Sequence, residues 1–326
     1  MGGRASPHPL TATIDLDLRA GGFLVSTAHG AYSAPVLATF LRSLVGGFLM
    51  GTADLIPGVS GGTIALVLGI YQRLVTSIKD GSSALGSLVR LDLSGAKENL
   101  GRVDWRFLLP LLVGIATAVV LLSSFLEHQL EARPIILSAV FFGLVIGSVV
   151  VAWRMIVSAR AAHFLMAAVV GAVLFTALGL GGSEVATTPG LVVFFAAGAL
   201  AVCAMILPGI SGSLVLVLVG MYAAALAAVT SRDLAAILAL GLGAVVGLAL
   251  FSQILHWALT RYYDAVVAAM VGLMLGSLRI LWPWPDGVGS PTLTAPGPDW
   301  PAAVMATLIG VALVFGISRL AEHQDR

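Results

Sequence analysis

Gly47-Phe-Leu-Met-Gly-Thr-Ala-Asp54-Leu-Ile-Pro57-Gly58-Val-Ser60-Gly61-Gly62-Thr63, continuing to Gly69-Ile-Tyr71, has a near copy later in the chain. The copy reads Gly198-Ala-Leu-Ala-Val-Cys-Ala-Met205-Ile-Leu-Pro208-Gly209-Ile-Ser211-Gly212-Ser213, continuing to Gly220-Met-Tyr222. At a fixed offset of 151, nine of the 25 positions are identical, including the Pro-Gly, the Ser-Gly after it and the terminal Gly-x-Tyr. Both stretches lie in apolar sequence. A helix breaker there strands backbone polar groups, which hydrocarbon tolerates only where protein or a water-filled cavity encloses them. Two such breaks at matching places ask for a reason.

The composition puts the chain in a membrane. It has 326 residues, of which 59% are hydrophobic and 10% charged, far from a soluble domain. Residues 185–231 contain no Asp, Glu, Lys or Arg, a length sufficient for two passes through hydrocarbon. A net charge of +1 gives no support to a nucleic-acid partner. The lone Cys203 excludes an internal disulfide and a thiolate metal cluster, and no metal or cofactor is indicated. Residues 1–35 are polar, with Pro7, Pro9, Asp15, Asp17 and Arg19, and their longest apolar run is Phe23-Leu24-Val25. That run is too short for a signal-peptide core, so the segment is expected to be a flexible extension that is retained.

Ten apolar segments follow, at roughly 36–56, 61–78, 107–126, 134–157, 163–181, 190–207, 211–229, 234–258, 264–284 and 300–319. They match five against five. Ser124, His128 and Arg133 recur as Ser252, His256 and Arg261, and Gly143, Gly147 and Trp153 recur as Gly272, Gly276 and Trp282. This is an internal duplication, with residues 36–181 as the first repeat, 190–319 as the second and 320–326 as a tail. If each broken pair returns its ends to one side, three further spans make the crossings per half odd and the second half is inverted; one discontinuous span per pair would give an even count and parallel repeats, and charge decides for inversion. With both termini inside, 14 of the 17 Lys and Arg fall on the inner side, leaving Arg133, Arg232 and Arg279 outside; this is the asymmetry of the positive-inside rule. The fold class is therefore an all-α integral membrane protein with an inverted repeat. It has six spans plus two re-entrant hairpins, or ten spans. The arms Leu191–Leu207 and Ser211–Val229 are about 25 and 29 Å long at 1.5 Å per residue, barely a hydrocarbon core of about 30 Å, which favours the re-entrant form. The linker 79–106 carries mixed charge, and Leu85, Leu88, Leu91 and Leu93 suggest a short helix on the inner surface. In the proline-rich loop 283–300, Trp282, Trp284 and Trp300 are expected as interfacial anchors.

At each break the residue types suit an anion. Pro57 and Gly58 end the first arm and turn the chain. Ser60 is placed as N-cap of the second arm, leaving the amides of Gly61, Gly62 and Thr63 as an unpaired first turn. The copy offers Pro208, Gly209, Ser211, Gly212 and Ser213. Free amides, the positive end of a helix dipole and hydroxyls form an anion site, and inversion brings two such tips toward the membrane midplane. Gly143/Gly147 and Gly272/Gly276, by contrast, are read as close helix packing. Asp54, three residues before Pro57, costs about 2.5–3.5 kcal/mol within the membrane. Its counterpart is Met205, so the fold does not demand it. It is a candidate for proton coupling or for orienting the tip through hydrogen bonds to free amides, against the plainer reading of a carboxylate near the rim. Arg279, deeper in its segment than Arg73 or Arg154, is a weak candidate phosphate partner.

Ala53-Asp-Leu-Ile-Pro57-Gly-Val-Ser-Gly-Gly-Thr63 with Gly69-Ile-Tyr71, and the degenerate Leu207-Pro-Gly-Ile-Ser-Gly-Ser213, resemble the bacterial polyprenyl-phosphate transporter family, formerly a membrane domain of unknown function. The resemblance covers about residues 42–319. It implies a flippase of the cytoplasmic membrane that returns undecaprenyl phosphate, the lipid carrier of cell-wall precursors, to the inner leaflet for reuse. The family's signature falls on Asp54, Pro57, Gly58, Ser60, Gly61, Gly62 and Thr63, and on Pro208, Gly209, Ser211, Gly212 and Ser213. Two rivals stay open. A membrane undecaprenyl-diphosphate phosphatase shares a Pro-Gly-Ile-Ser element, but has an Arg after the Ser, where this chain has Gly212, and a glutamate cluster. Here Glu127 and Glu131 lie at a loop, which leaves no paired carboxylates to activate water. A transporter of a small anion is the second rival, since amides and dipoles recognise charge more than tail.

Overall fold

The computed structural model describes residues 36–55, 59–180, 189–288, 290 and 292–324. Pro57, Gly58 and the extension 1–35 lie outside them. The first half comprises α1 (Val36–Asp54), α2 (Gly61–Val67), α3 (Tyr71–Val89), α4 (Leu93–Arg102), α5 (Trp105–Ala132), α6 (Pro134–Arg154) and α7 (Ala161–Gly179). The second comprises α8 (Leu191–Ile206), α9 (Gly212–Leu218), α10 (Tyr222–Thr230), α11 (Leu234–Arg261), α12 (Tyr263–Ser277) and α13 (Trp300–Gln324). Among the described residues five helices, α5, α6, α7, α11 and α13, are long and apolar enough to cross a membrane, or six if the bent pair α9/α10 counts as one span. Their outer faces carry exposed Val120, Leu121, Leu165, Leu238, Leu250 and Leu308, a surface that lipid covers and water does not. The chain is a multi-pass α-helical membrane protein.

The most extensive helix pairings are α1 with α5, α8 with α11, α6 with α13 and α7 with α12. Swapping the halves (α1 for α8, α5 for α11, α6 for α12, α7 for α13) returns the same four pairs. The likeness extends to single glycines. A methyl group on Gly47 would overlap the Leu111 carbonyl and one on Gly198 the Leu240 carbonyl; Gly114 faces Leu44 as Gly243 faces Phe195. Across the other seam, Gly143 closes on Thr307 as Gly272 closes on Ala167, and Gly147 on Val314 as Gly276 on Leu174. The packing role expected for these four glycines is what they perform, letting backbones approach where lipid supplies no hydrophobic drive. Asp104 caps α5 by accepting from the Phe107 amide at 3.2 Å. Asp233 caps α11 in the same way, accepting from the Ala235 and Ala236 amides at 3.1 Å each.

These contacts set the register. Gly114 and Gly243, Leu111 and Leu240, Asp104 and Asp233 are all separated by 129. Ser252 therefore corresponds to Ser123, and His128 to Trp257, correcting the alignment of the two histidines by one residue. The first half holds 22 more residues between hairpin and first span, the difference between the offsets 151 and 129, and they are spent on a longer α3 and on α4. Helix runs on to Val89 inside the segment expected as a linker, and the leucines expected on one surface helix are divided, Leu85 and Leu88 at the end of α3, Leu91 in the turn that follows and Leu93 at the start of α4.

The loop after α12 contains no helix among its described residues, as its prolines require. Its tryptophans are not all anchors. Trp284 is buried with Ala139, Ala303 and Ala306, Trp282 donates to the Thr294 carbonyl at 3.0 Å, and only Trp300 is exposed.

Candidate functional site

Both second arms are shorter than the sequence suggested. A second break falls at Gly69 (φ +71) and again at Gly220 (φ +68), left-handed conformations that suit glycine. Each hairpin is thus a long arm, a two-turn helix and, past the glycine, a third helix; α9 and α10 are bent by 111°. A seven-residue helix is about 10 Å long, so α2 and α9 each reach only part of the way through a bilayer.

The first tip caps itself. Ser60 is extended (φ −126, ψ 138) as N-cap of α2, and its Oγ accepts from the Gly62 amide at 3.1 Å. Its carbonyl accepts from the Thr63 amide at 2.8 Å. Asp54, the last residue of α1, accepts from the Gly61 amide through Oδ1 at 2.6 Å, the short distance of a charge-assisted bond. The expectation of an unpaired first turn is therefore corrected: the Asp54 carboxylate takes the position of an external anion. Of the three sequence readings of Asp54, the orienting one invoked a hydrogen bond of this kind to a tip amide.

The second tip lacks that cap. Gly209 turns the chain at φ +88, where a methyl would also meet the Met274 backbone, so both conformation and contact restrict the position to glycine. Ser211 is the N-cap of α9 but makes no side-chain capping bond; its Oγ lies 2.7 Å from the Ser213 Oγ. Met205, the counterpart of Asp54, lies with its thioether against Gly212. A thioether is a weak acceptor. The first tip ends in a carboxylate-bound amide and the second in two hydroxyls under a sulfur.

The tips meet. Ser60 Oγ donates to the Met205 carbonyl at 3.3 Å, Tyr71 OH to the Ile206 carbonyl at 3.0 Å, and the Gly209 amide to Thr63 Oγ1 at 3.0 Å. A methyl on Gly62 would approach the Ile206 carbonyl. Met205 and Ile206 close α8, where helix carbonyls lose their intrahelical donors; the opposite half supplies them. All seven residues of α2 are buried, whereas only Gly212 of α9 is. Neither Tyr71 nor Thr63 as a link between halves was legible in the sequence, although Tyr71 stood in the repeated Gly-x-Tyr.

Other candidates fall elsewhere. Arg279 lies past the end of α12, over the Phe175 ring at 4.8 Å and against Gly179; among the described residues it makes no bond to either tip. Arg73 pairs with Asp104, Nε to Oδ2 at 2.8 Å, and sits over the Phe107 ring at 4.3 Å. Beside it a cavity of about 610 Å³ opens at the Gly69 break, lined by Arg42, Leu49, Leu68, Ile70 and Phe107 among others. Glu127 and Glu131 lie exposed in the last turns of α5. Cys203 packs against the Gly247 carbonyl.

Two hairpins hydrogen-bonded to each other near their tips within a bundle of long apolar helices define a multi-pass membrane protein. The chain belongs to the undecaprenyl phosphate translocase-like family, whose model matches residues 50–294. It is 36% identical over 312 residues to a polyprenyl-phosphate transporter of Vibrio cholerae serotype O1, covering 88% of this chain and 97% of the relative. A polyprenyl-phosphate transporter of Staphylococcus aureus is 29% identical over 299 residues, covering 87% and 98%. No solved structure matches the chain.

Proposed function

We propose that this chain transports undecaprenyl phosphate across the cytoplasmic membrane, from outer to inner leaflet, for reuse as a lipid carrier in cell-wall synthesis. The names of both relatives support the substrate class. The observation that carries the mechanism is the meeting of the two breaks, with Ser60 bonded to the Met205 carbonyl at 3.3 Å. A phosphate handed between the tips travels a short path while its tail stays in lipid. The halves act as repeats, which the exchangeable helix pairs support, inverted with both termini on the cytoplasmic side, which the Lys and Arg distribution supports. Rocking of one half against the other then gives alternating access.

The tips have different tasks. The second receives phosphate on Ser211 and Ser213, whose hydroxyls already face each other. At the first, phosphate replaces the Asp54 carboxylate on the Gly61 amide, and protonation of Asp54 releases that amide and removes the repulsion between two anions. Ser60, Gly62 and Thr63 shape this tip, with Pro57 and Gly58 assigned to it from the sequence alone, and Pro208, Gly209 and Gly212 shape the other. The cavity beside Gly69, apolar with two guanidinium groups on its wall, suits an anionic amphiphile approaching from the inner leaflet.

Purified protein in liposomes with labelled undecaprenyl phosphate tests the reading. Movement between leaflets is expected, slowed by Ser211→Ala. Release of phosphate from undecaprenyl diphosphate would replace the proposal with a phosphatase. Passage of sulfate without movement of the lipid would replace it with a small-anion carrier.

A further inference from the structure

Two hydroxyl bonds at the tips run from the first half to the second. Tyr71 and Ser60 of the first half donate to the Ile206 and Met205 carbonyls of the second, and the donors are buried to 2% and 1% exposure. The offset of 151 that relates the hairpins turns Tyr71 into Tyr222 and Ser60 into Ser211, and turns Ile206 and Met205 into Leu55 and Asp54. The second half therefore carries the same two hydroxyls, and α1 ends with the same two carbonyls. Among the described residues these copies are not joined. Tyr222 is 46% exposed, the Ser211 hydroxyl bonds only that of Ser213, and α9 is open where α2 is enclosed.

We propose that Tyr222 and Ser211 are the donors of the other orientation: when the halves rock, Tyr222 OH takes the Leu55 carbonyl and Ser211 Oγ the Asp54 carbonyl. Tyr71 and Ser60 then let go. The inference rests on the transporter reading above and adds to it the residues that hold each orientation. Carbonyls at a helix end inside a membrane protein keep a donor or lose the equivalent of a hydrogen bond. A carrier that opens one such set while closing its copy loses little between its two states. The exchange is incomplete in a way the sequence fixes in advance. Thr63, which accepts from Gly209, has Leu214 as its counterpart, so the third bond has no copy. Gly62, which lies close under the Ile206 carbonyl, has Ser213 as its counterpart, whose Cβ holds α9 farther from α1. The observed orientation is the better sealed of the two.

Hydrogen–deuterium exchange on the full chain in lipid nanodiscs, without substrate, tests this, alongside liposome transport. In the wild type, α2 exchanges slowly and α9 quickly. Tyr71→Phe is expected to speed α2 and slow α9 together. Tyr222→Phe is expected to slow α2 further and to reduce lipid transport about tenfold, the equivalent of one hydrogen bond. Ser211→Ala, free of any aromatic repacking, is expected to shift exchange in the same sense as Tyr222→Phe. A merely structural Tyr71 would loosen α2 and leave α9 unchanged, and an idle surface Tyr222 would change neither exchange nor transport; either result overturns the proposal. Because exchange needs no substrate, a wild type that moves no polyprenyl phosphate counts against the transport reading, while reciprocal protection still supports the two orientations.

Discussion

The Gly61 amide donates to the Asp54 carboxylate at 2.6 Å, and at the same place in the second half Gly212 lies against the thioether of Met205. One tip thus closes on its own carboxyl group and the other on a thioether. On the transport cycle proposed above this difference gives the tips different tasks, and each can be tested by a single substitution.

Asp54→Asn keeps an acceptor of the same shape for the Gly61 amide but removes the titrating charge. Transport measured with and without an imposed proton gradient is expected to lose its gradient dependence while the protein stays folded. Retained gradient dependence would remove Asp54 from coupling.

Met205→Asp copies the first tip's carboxylate into the second. The new side chain is expected to bind the Gly212 amide and compete with phosphate, lowering transport about tenfold or more, the scale of one charge-assisted hydrogen bond. An unimpaired carrier would mean that the second tip does not receive the headgroup.

The two serines divide structure from function. Ser60→Ala removes a helix cap and is expected to destabilise the protein by about 1 kcal/mol in thermal unfolding in detergent. Ser211→Ala makes no capping bond to lose. It is expected to leave the melting temperature near wild type and to slow transport, and the reverse pattern would contradict the assignment.

Packing at the seams is directly checkable. Gly198→Ala drives a methyl into the Leu240 carbonyl, and overpacking of this kind costs about 1–3 kcal/mol. Gly241→Ala, with open space around its Cβ, is the matched control and is expected to leave the unfolding midpoint unchanged.

Outside the membrane helices, Asp92 caps α4, accepting from the Gly95 amide at 2.9 Å and the Ser94 hydroxyl at 2.8 Å. These bonds hold its carboxyl below the ordinary carboxylate range. A depressed value means the cap's stabilisation is present above the ordinary carboxylate pKa of about 3.9 and is lost as pH falls through the depressed value. Amide protection in α4 is expected to fall on acidification in the wild type and to be insensitive to pH in Asp92→Asn.

Much of this was legible before any coordinates, because lipid leaves a chain few choices. Apolar runs had to be helices, and α6 and α8 begin and end within a few residues of where hydropathy put them. The packing glycines could be read because backbones in hydrocarbon approach only where side chains are absent. The breaks at Gly69 and Gly220 could not be read as breaks, since one glycine in an apolar run costs a helix little and only its positive φ betrays a turn. The closure of Asp54 on Gly61 joins residues on either side of the break, so it belongs to the turn's geometry rather than to any local pattern. Trp284 looked like an interfacial anchor by type, but the loop folds inward and buries it. The histidine alignment failed by one residue because Ser123 and Ser124 offer two registers, and only the contacts of Gly114 and Gly243 choose between them.

The longer third helix of the first hairpin has its own consequence. Gln253 of α11 donates through Nε2 to the Lys79 carbonyl at 3.2 Å and to Ser83 Oγ at 2.9 Å, and Ser82 Oγ lies 3.1 Å from Ser252 Oγ. α10 ends at Thr230, too soon to make a matching strut against α5. On the rocking proposed above, this strut biases the unloaded protein toward the observed orientation, a parking position, and Gln253→Ala is expected to weaken that preference, read as more nearly equal deuterium uptake in α2 and α9.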